Sequence, residues 1–116
     1  MRSDDLLPHE LVSRLVDSAE LDRIKRDPEF ARALFAEAGS LLLQGEPEVA
    51  RVMLHNLVNA TFGFEGLAQA TGRPSKSLHR MLSVSGNPSM DNIAAIFDAL
   101  RHHLGASIEV QANTVA

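Results

Sequence analysis

Apolar residues recur at three- and four-residue spacing along most of this chain, a pattern that predicts helices almost throughout. Leu11/Leu15 and Val12/Val16 pair at i, i+4 in a first amphipathic segment from about Pro8 to Ser18. Asp27-Pro28-Glu29 opens a second helix, as a cap, a proline in the first turn and an acid at the positive dipole end. This helix is expected to bury Phe30, Leu34, Phe35, Leu41 and Leu42 and to stop at Gly45. A third helix starts at Pro47, sets Val49, Val52, Met53, Leu57 and Ala60 on one broad face, and closes before Gly63. Two short helices follow, joined at Gly72, with Leu67 and Ala68 inward on one and Leu78, Met81 and Leu82 on the other. Gly86-Asn87-Pro88-Ser89 reads as a turn, and Ser89 can cap a last helix from Met90 to Leu104. Its core positions are Ile93, Ile96, Phe97, Leu100 and Leu104, and Gly105 stands where the helix must end.

Beyond Gly105 the period changes. Ala106, Ile108, Val110 and Ala112 alternate with Ser107, Glu109 and Gln111, which predicts a single β-strand with one apolar side. The expected fold is therefore all-α with a short C-terminal β-strand. Its divisions are an N-terminal helical extension over 1–46, a helix-turn-helix unit over 47–105 with its motif at 64–83, and a strand and tail over 106–116. No linker is long enough to separate independent domains, so the 116 residues are expected to share one core.

The motif carries the chemistry. With Leu78, Met81 and Leu82 turned inward, Lys76, Ser77, His79 and Arg80 are left on the outer side of the second short helix. That is the pattern of a helix-turn-helix whose second helix can enter a DNA major groove, although a plain helical hairpin gives a similar pattern. Arg80 has a guanidinium able to bond a guanine edge at two points; a phosphate contact or a solvated charge are the alternatives. Lys76 suits phosphate. Ser75 suits the N-cap of that helix as well as DNA, His79 a base or plain solvent, and Arg73 the nucleic-acid backbone.

Charge changes the picture less than its sum suggests. The net charge is −4, yet the basic residues Arg73, Lys76, Arg80 and Arg101 outnumber Asp91 and Asp98 between 66 and 105, while residues 1–65 are acidic. An acidic front and a mildly basic back suggest one surface for nucleic acid and another for a protein. There is no cysteine, hence no disulfide and no thiolate chemistry. His102-His103 are adjacent on a helix and point about 100° apart, so no metal site is expected, and no cofactor. No nucleophile or phosphate-cradling loop argues for an enzyme. No signal peptide or membrane span is evident, which makes the cytoplasm the expected location.

Residues 64–83, followed by Gly86-Asn87-Pro88-Ser89 and an amphipathic helix, resemble the Cro and lambda-repressor type (Xre-like) regulators. Extended back to Asp27-Pro28-Glu29-Phe30, the chain resembles the addiction-module antidote proteins, the HigA-type antitoxins. The resemblance implies a lambda-repressor-like domain that binds double-stranded DNA at a palindromic operator as a homodimer. It further implies a RelE-like toxin as partner and autoregulation of the operon. It sets Ser75, Lys76, His79 and Arg80 where such proteins read bases or grip phosphate, and Asn87 in the loop that meets the backbone. Phe64-Glu65 stands where many relatives carry a phosphate-binding glutamine. A regulator without a toxin, or a helical adaptor that binds no DNA, are the alternatives. For the pairing of two copies, the unpaired edge of Ser107–Gln111 is the first candidate and the N-terminal helix the second.

Overall fold

A computed structural model describes residues 18–115, and in it the fold is all-α. Six helices follow one another: α1 Ser18–Arg26, α2 Pro28–Leu43, α3 Pro47–Ala60, α4 Gly63–Thr71, α5 Ser75–Met81 and α6 Met90–Leu104. The amphipathic segment expected from Pro8 lies, but for Ser18, outside the described residues.

Helix α3 is the centre. Nine of its residues are buried, among them Val49, Val52, Met53, Leu54, Leu57 and Val58, so the expected single broad face becomes burial on most sides. It packs against α1, α2 and α4, while α6 closes the unit against α2 and α4. Phe35, Leu54, Leu57, Leu67, Leu78, Leu82, Ile96 and Leu100 are all but inaccessible and belong to one continuous core. The front helices share that core through Ile24, Ala31, Phe35 and Ala38.

The helix starts follow local chemistry. Asp27 caps α2 by accepting the Phe30 N–H at 3.2 Å, and Pro28 occupies the first turn. Ser89 caps α6 by accepting the Asn92 N–H at 3.1 Å. Within α2 the fully buried positions are Ala31, Phe35 and Ala38, whereas Phe30, Leu34, Leu41 and Leu42 are half-buried. The alanines allow close approach to α3, and Phe30 instead supports the Arg23 guanidinium 3.9 Å above its ring.

Three expectations need correction. Residues 18–26 form a helix that the pattern did not announce, because only Leu21 and Ile24 mark its inner side; Glu20 at its start and Arg23, Lys25 and Arg26 at its end suit its dipole. The turn before α6 sits earlier than Gly86–Ser89: the Gly86 N–H closes it on the Ser83 carbonyl at 3.0 Å. Gly86 is needed there, since a Cβ would strike the carbonyl oxygens of Met81 and Arg80. Finally, no strand occurs among the described residues. Residues 106–115 are non-helical and make no ladder, since a strand needs a neighbour and the other described residues, helical or in turns, supply none. No helix among the described residues is long and apolar enough to cross a membrane.

Leu57→Ala is expected to lower the unfolding free energy by about 2–5 kcal/mol, because the cavity forms where α3 is enclosed. Urea unfolding followed by circular dichroism measures it.

Candidate functional site

The site is built on α4, the turn Gly72–Pro74 and α5. Thr71 Oγ1–H donates to the Leu67 carbonyl at 2.8 Å, and the Gly72 N–H closes α4 on Ala68 O at 2.8 Å. Gly72 then turns the chain at φ 70°, which a residue with a Cβ rarely adopts. Pro74 is extended and its carbonyl accepts the Leu78 N–H at 3.1 Å, so it occupies the N-cap of α5. Ser75 is therefore the first helical residue and makes no capping bond, which corrects the capping role expected for it. Leu67 and Leu78 are both fully buried and hold the two helices together.

Two arginines tie α5 down at its ends. From the turn, Arg73 Nε–H donates to Asn92 Oδ1 at 2.5 Å and its Nη1 to the Thr71 carbonyl at 3.1 Å. From α3, Arg51 Nε–H donates to the Ser83 carbonyl at 3.2 Å and its Nη2 to the Val84 carbonyl at 2.9 Å. The start of α5 is thereby tied to α6 and its end to α3. Arg73, expected on the nucleic-acid backbone, already holds two internal acceptors.

His79 is also engaged. Its ring lies 4.6 Å from the Phe64 ring and 4.9 Å, edge-on, from that of His55; His55 and Phe64 are 5.1 Å apart. The cluster joins α3, α4 and α5. Burial holds His55 below the ordinary imidazole pKa, the His79 ring beside it pushes the same way, and a hydrogen bond with Asn56 opposes both.

Lys76 and Arg80 remain. Both are exposed, one helical turn apart on α5, and neither side chain makes an ion pair or hydrogen bond among the described residues. Ser77 is half-buried on the same helix, and Asn87 is exposed in the following loop. The structure thus brings Lys76 and Arg80 together as free cationic groups, turns His79 to the aromatic cluster, and uses Arg73 internally. Elsewhere, His102 Nδ1 lies 2.9 Å from the Asp98 carbonyl while His103 stacks on Phe62 at 4.5 Å, so the adjacent imidazoles have different partners.

Arg51, His55, Phe64 and Asn92 were not legible as site residues. The available signal was Arg51, a charge inside a segment that is otherwise apolar on nearly every side, with His55 one turn further along.

No protein-family model, curated protein or solved structure matches this chain significantly.

Two outcomes follow from this geometry. Arg51→Ala removes two hydrogen bonds from a charged donor and is expected to destabilise by about 1–3 kcal/mol in urea unfolding. Because the fold favours neutral His55, the unfolded chain takes up its proton first as pH falls below about 6.5, and stability drops with it. Stability is thus fully present above that pH. The urea midpoint is expected to fall between pH 7.5 and 5.5, and to fall less in His55→Gln.

Proposed function

We propose that this chain is a sequence-specific DNA-binding repressor of the lambda-repressor-like, helix-turn-helix type, acting as a homodimer on a palindromic operator. The observation that carries this reading is the pair Lys76 and Arg80, exposed and unpaired on one side of α5, a helix tied down at both ends. A reading helix must present charge outward and hold its orientation while doing so, since a base contact depends on bidentate geometry.

In this mechanism α5 enters the major groove. Arg80 bonds a guanine edge, Lys76 neutralises phosphate, and Ser75, Ser77 and Asn87 supply polar contacts around them. Arg73 sets the turn against α6 and His79 fixes the helix against α3 and α4, so both act by positioning. Few phosphate contacts per copy give weak, salt-sensitive binding, and two copies on one palindrome double them. We further propose that the chain is a cytoplasmic, non-catalytic antitoxin whose acidic front half takes a basic, RelE-like toxin and which represses its own operon. Co-purification with the product of the neighbouring gene separates this from a regulator without a toxin. The net charge of −4 favours a second reading, a helical adaptor that binds no DNA.

Binding to the DNA upstream of the chain's own gene, measured over a salt series, tests the main reading. The logarithm of affinity is expected to fall with a slope of about −0.9 per phosphate contacted. Arg80→Ala is expected to cost about 1–3 kcal/mol and to blur discrimination at one base pair; Lys76→Ala weakens all sequences alike and flattens the slope by about 1. Absence of binding at low salt and high protein concentration overturns this reading in favour of the adaptor.

A further inference from the structure

The C-terminal segment lies beside α2, and a groove of ≈ 630 Å³ runs between them. Its walls include Phe35, Ala36 and Leu43 from α2 and Ile108 and Val110 from the tail. Leu43 is 69 % exposed, Ile108 43 % and Val110 72 %. Three of the six exposed large hydrophobic residues among those described therefore border this one groove. The backbone beside it is equally unfinished. The last backbone donor with an internal partner is the Ala106 N–H, bonded to Arg101 O at 2.9 Å, and residues 107–115 make no hydrogen bond among the described residues.

We propose that a second copy of this chain occupies this surface: the two tails pair edge to edge as an antiparallel ribbon whose apolar side covers both α2 grooves. The unpaired tail suits a copy of itself, because a two-fold axis sets its free edge against an identical free edge and gives the backbone groups of both a partner. The alternation suits it as well, since Ile108 and Val110 share the side away from Ser107, Glu109 and Gln111. A two-stranded ribbon is marginal alone, whereas one laid on helices is supported. A stable pair needs about 800 Å² buried per copy, so the α2 walls around Arg32, Ala36 and Leu43 must belong to the seam.

The register is constrained too. Centred on residue 109, the ribbon would set the two Glu109 carboxylates opposite one another, and like charges directly opposite destabilise. A centre half-way between residues would set apolar side chains against polar ones. Centres at Ile108 or Val110 avoid both, and they place Glu109 across from Ser107 or from Gln111 of the other copy.

This inference rests on the pairing part of the proposed function and not on DNA binding. The chain has no cysteine, so introduced thiols report unambiguously. Single variants Ser107→Cys, Glu109→Cys and Gln111→Cys in the full chain are mixed in pairs under mild oxidation, with the exposed Glu29→Cys as control. The expected result is a species of twice the chain mass in sedimentation, with the 107/109 or the 109/111 mixture cross-linking fastest. Val110→Lys is expected to weaken the dimer at least roughly tenfold with the helical signal unchanged, as that side chain lies outside the helices and is largely exposed. A monomer at tens of micromolar overturns the proposal. A dimer whose tail thiols cross-link no faster than the control also overturns it, but leaves pairing through another surface intact. Operator binding, measured separately, is decided by neither result.

Discussion

The burial of α3 on most of its sides is the constraint from which the rest of this structure follows. A helix with Leu54, Leu57 and Val58 fully enclosed needs neighbours all round, and α1, α2 and α4 supply them. What α3 leaves uncovered is narrow, and it includes Arg51 and His55, one turn apart. Those two side chains reach α5 and the loop after it, Arg51 through the Ser83 and Val84 carbonyls and His55 through the His79 ring. The core helix thus presents a short polar ledge on which the seven-residue α5 rests. A helix that short has little stability of its own, so its orientation comes from these contacts and from buried Leu78 and Leu82.

The same contacts change what the basic residues mean. Counted along the sequence, Arg73, Lys76, Arg80 and Arg101 make the second half cationic. In space, Arg73 is bonded to Asn92 and Thr71, and Arg101 lies 2.8 Å from Asp98. Only Lys76 and Arg80 of these four point outward without a partner among the described residues. Two free cations give a weak field, screened within about 10 Å at moderate salt. The proposed DNA reading thereby comes to rely on two copies acting together.

Much of the framework was legible because it depends on local chemistry. Asp27-Pro28, Ser89 and Gly72 specify caps and a turn through their own backbones and side chains, and the structure puts them to those uses. Where tertiary packing decides, the sequence was a poorer guide. Helix α1 has too few apolar residues for a periodic signal and is held by packing on α2 and α3. Ser75 has the side chain of a cap, but the extended backbone of Pro74 takes that position first. His79 read as a free surface ring because its partners, Phe64 and His55, lie 15 and 24 positions back. The strand expected after Gly105 shows the converse limit: alternation specifies which side of a segment is apolar, but pairing requires a second edge.

Helix α6 links these observations mechanically. Near its start Asn92 holds the turn before α5 through Arg73, and at its end Gly105 releases the tail. It is 15 residues long, hence about 22 Å. Two copies joined through their tails would therefore carry their α5 helices at the far ends of two such rods. End to end the rods would span about 45 Å, and a bend of roughly 80° between them shortens this to the roughly 34 Å between successive major-groove faces of one side of a duplex. The tail seam and the DNA reading are thus separate proposals that meet in one dimension of the molecule, the length of α6.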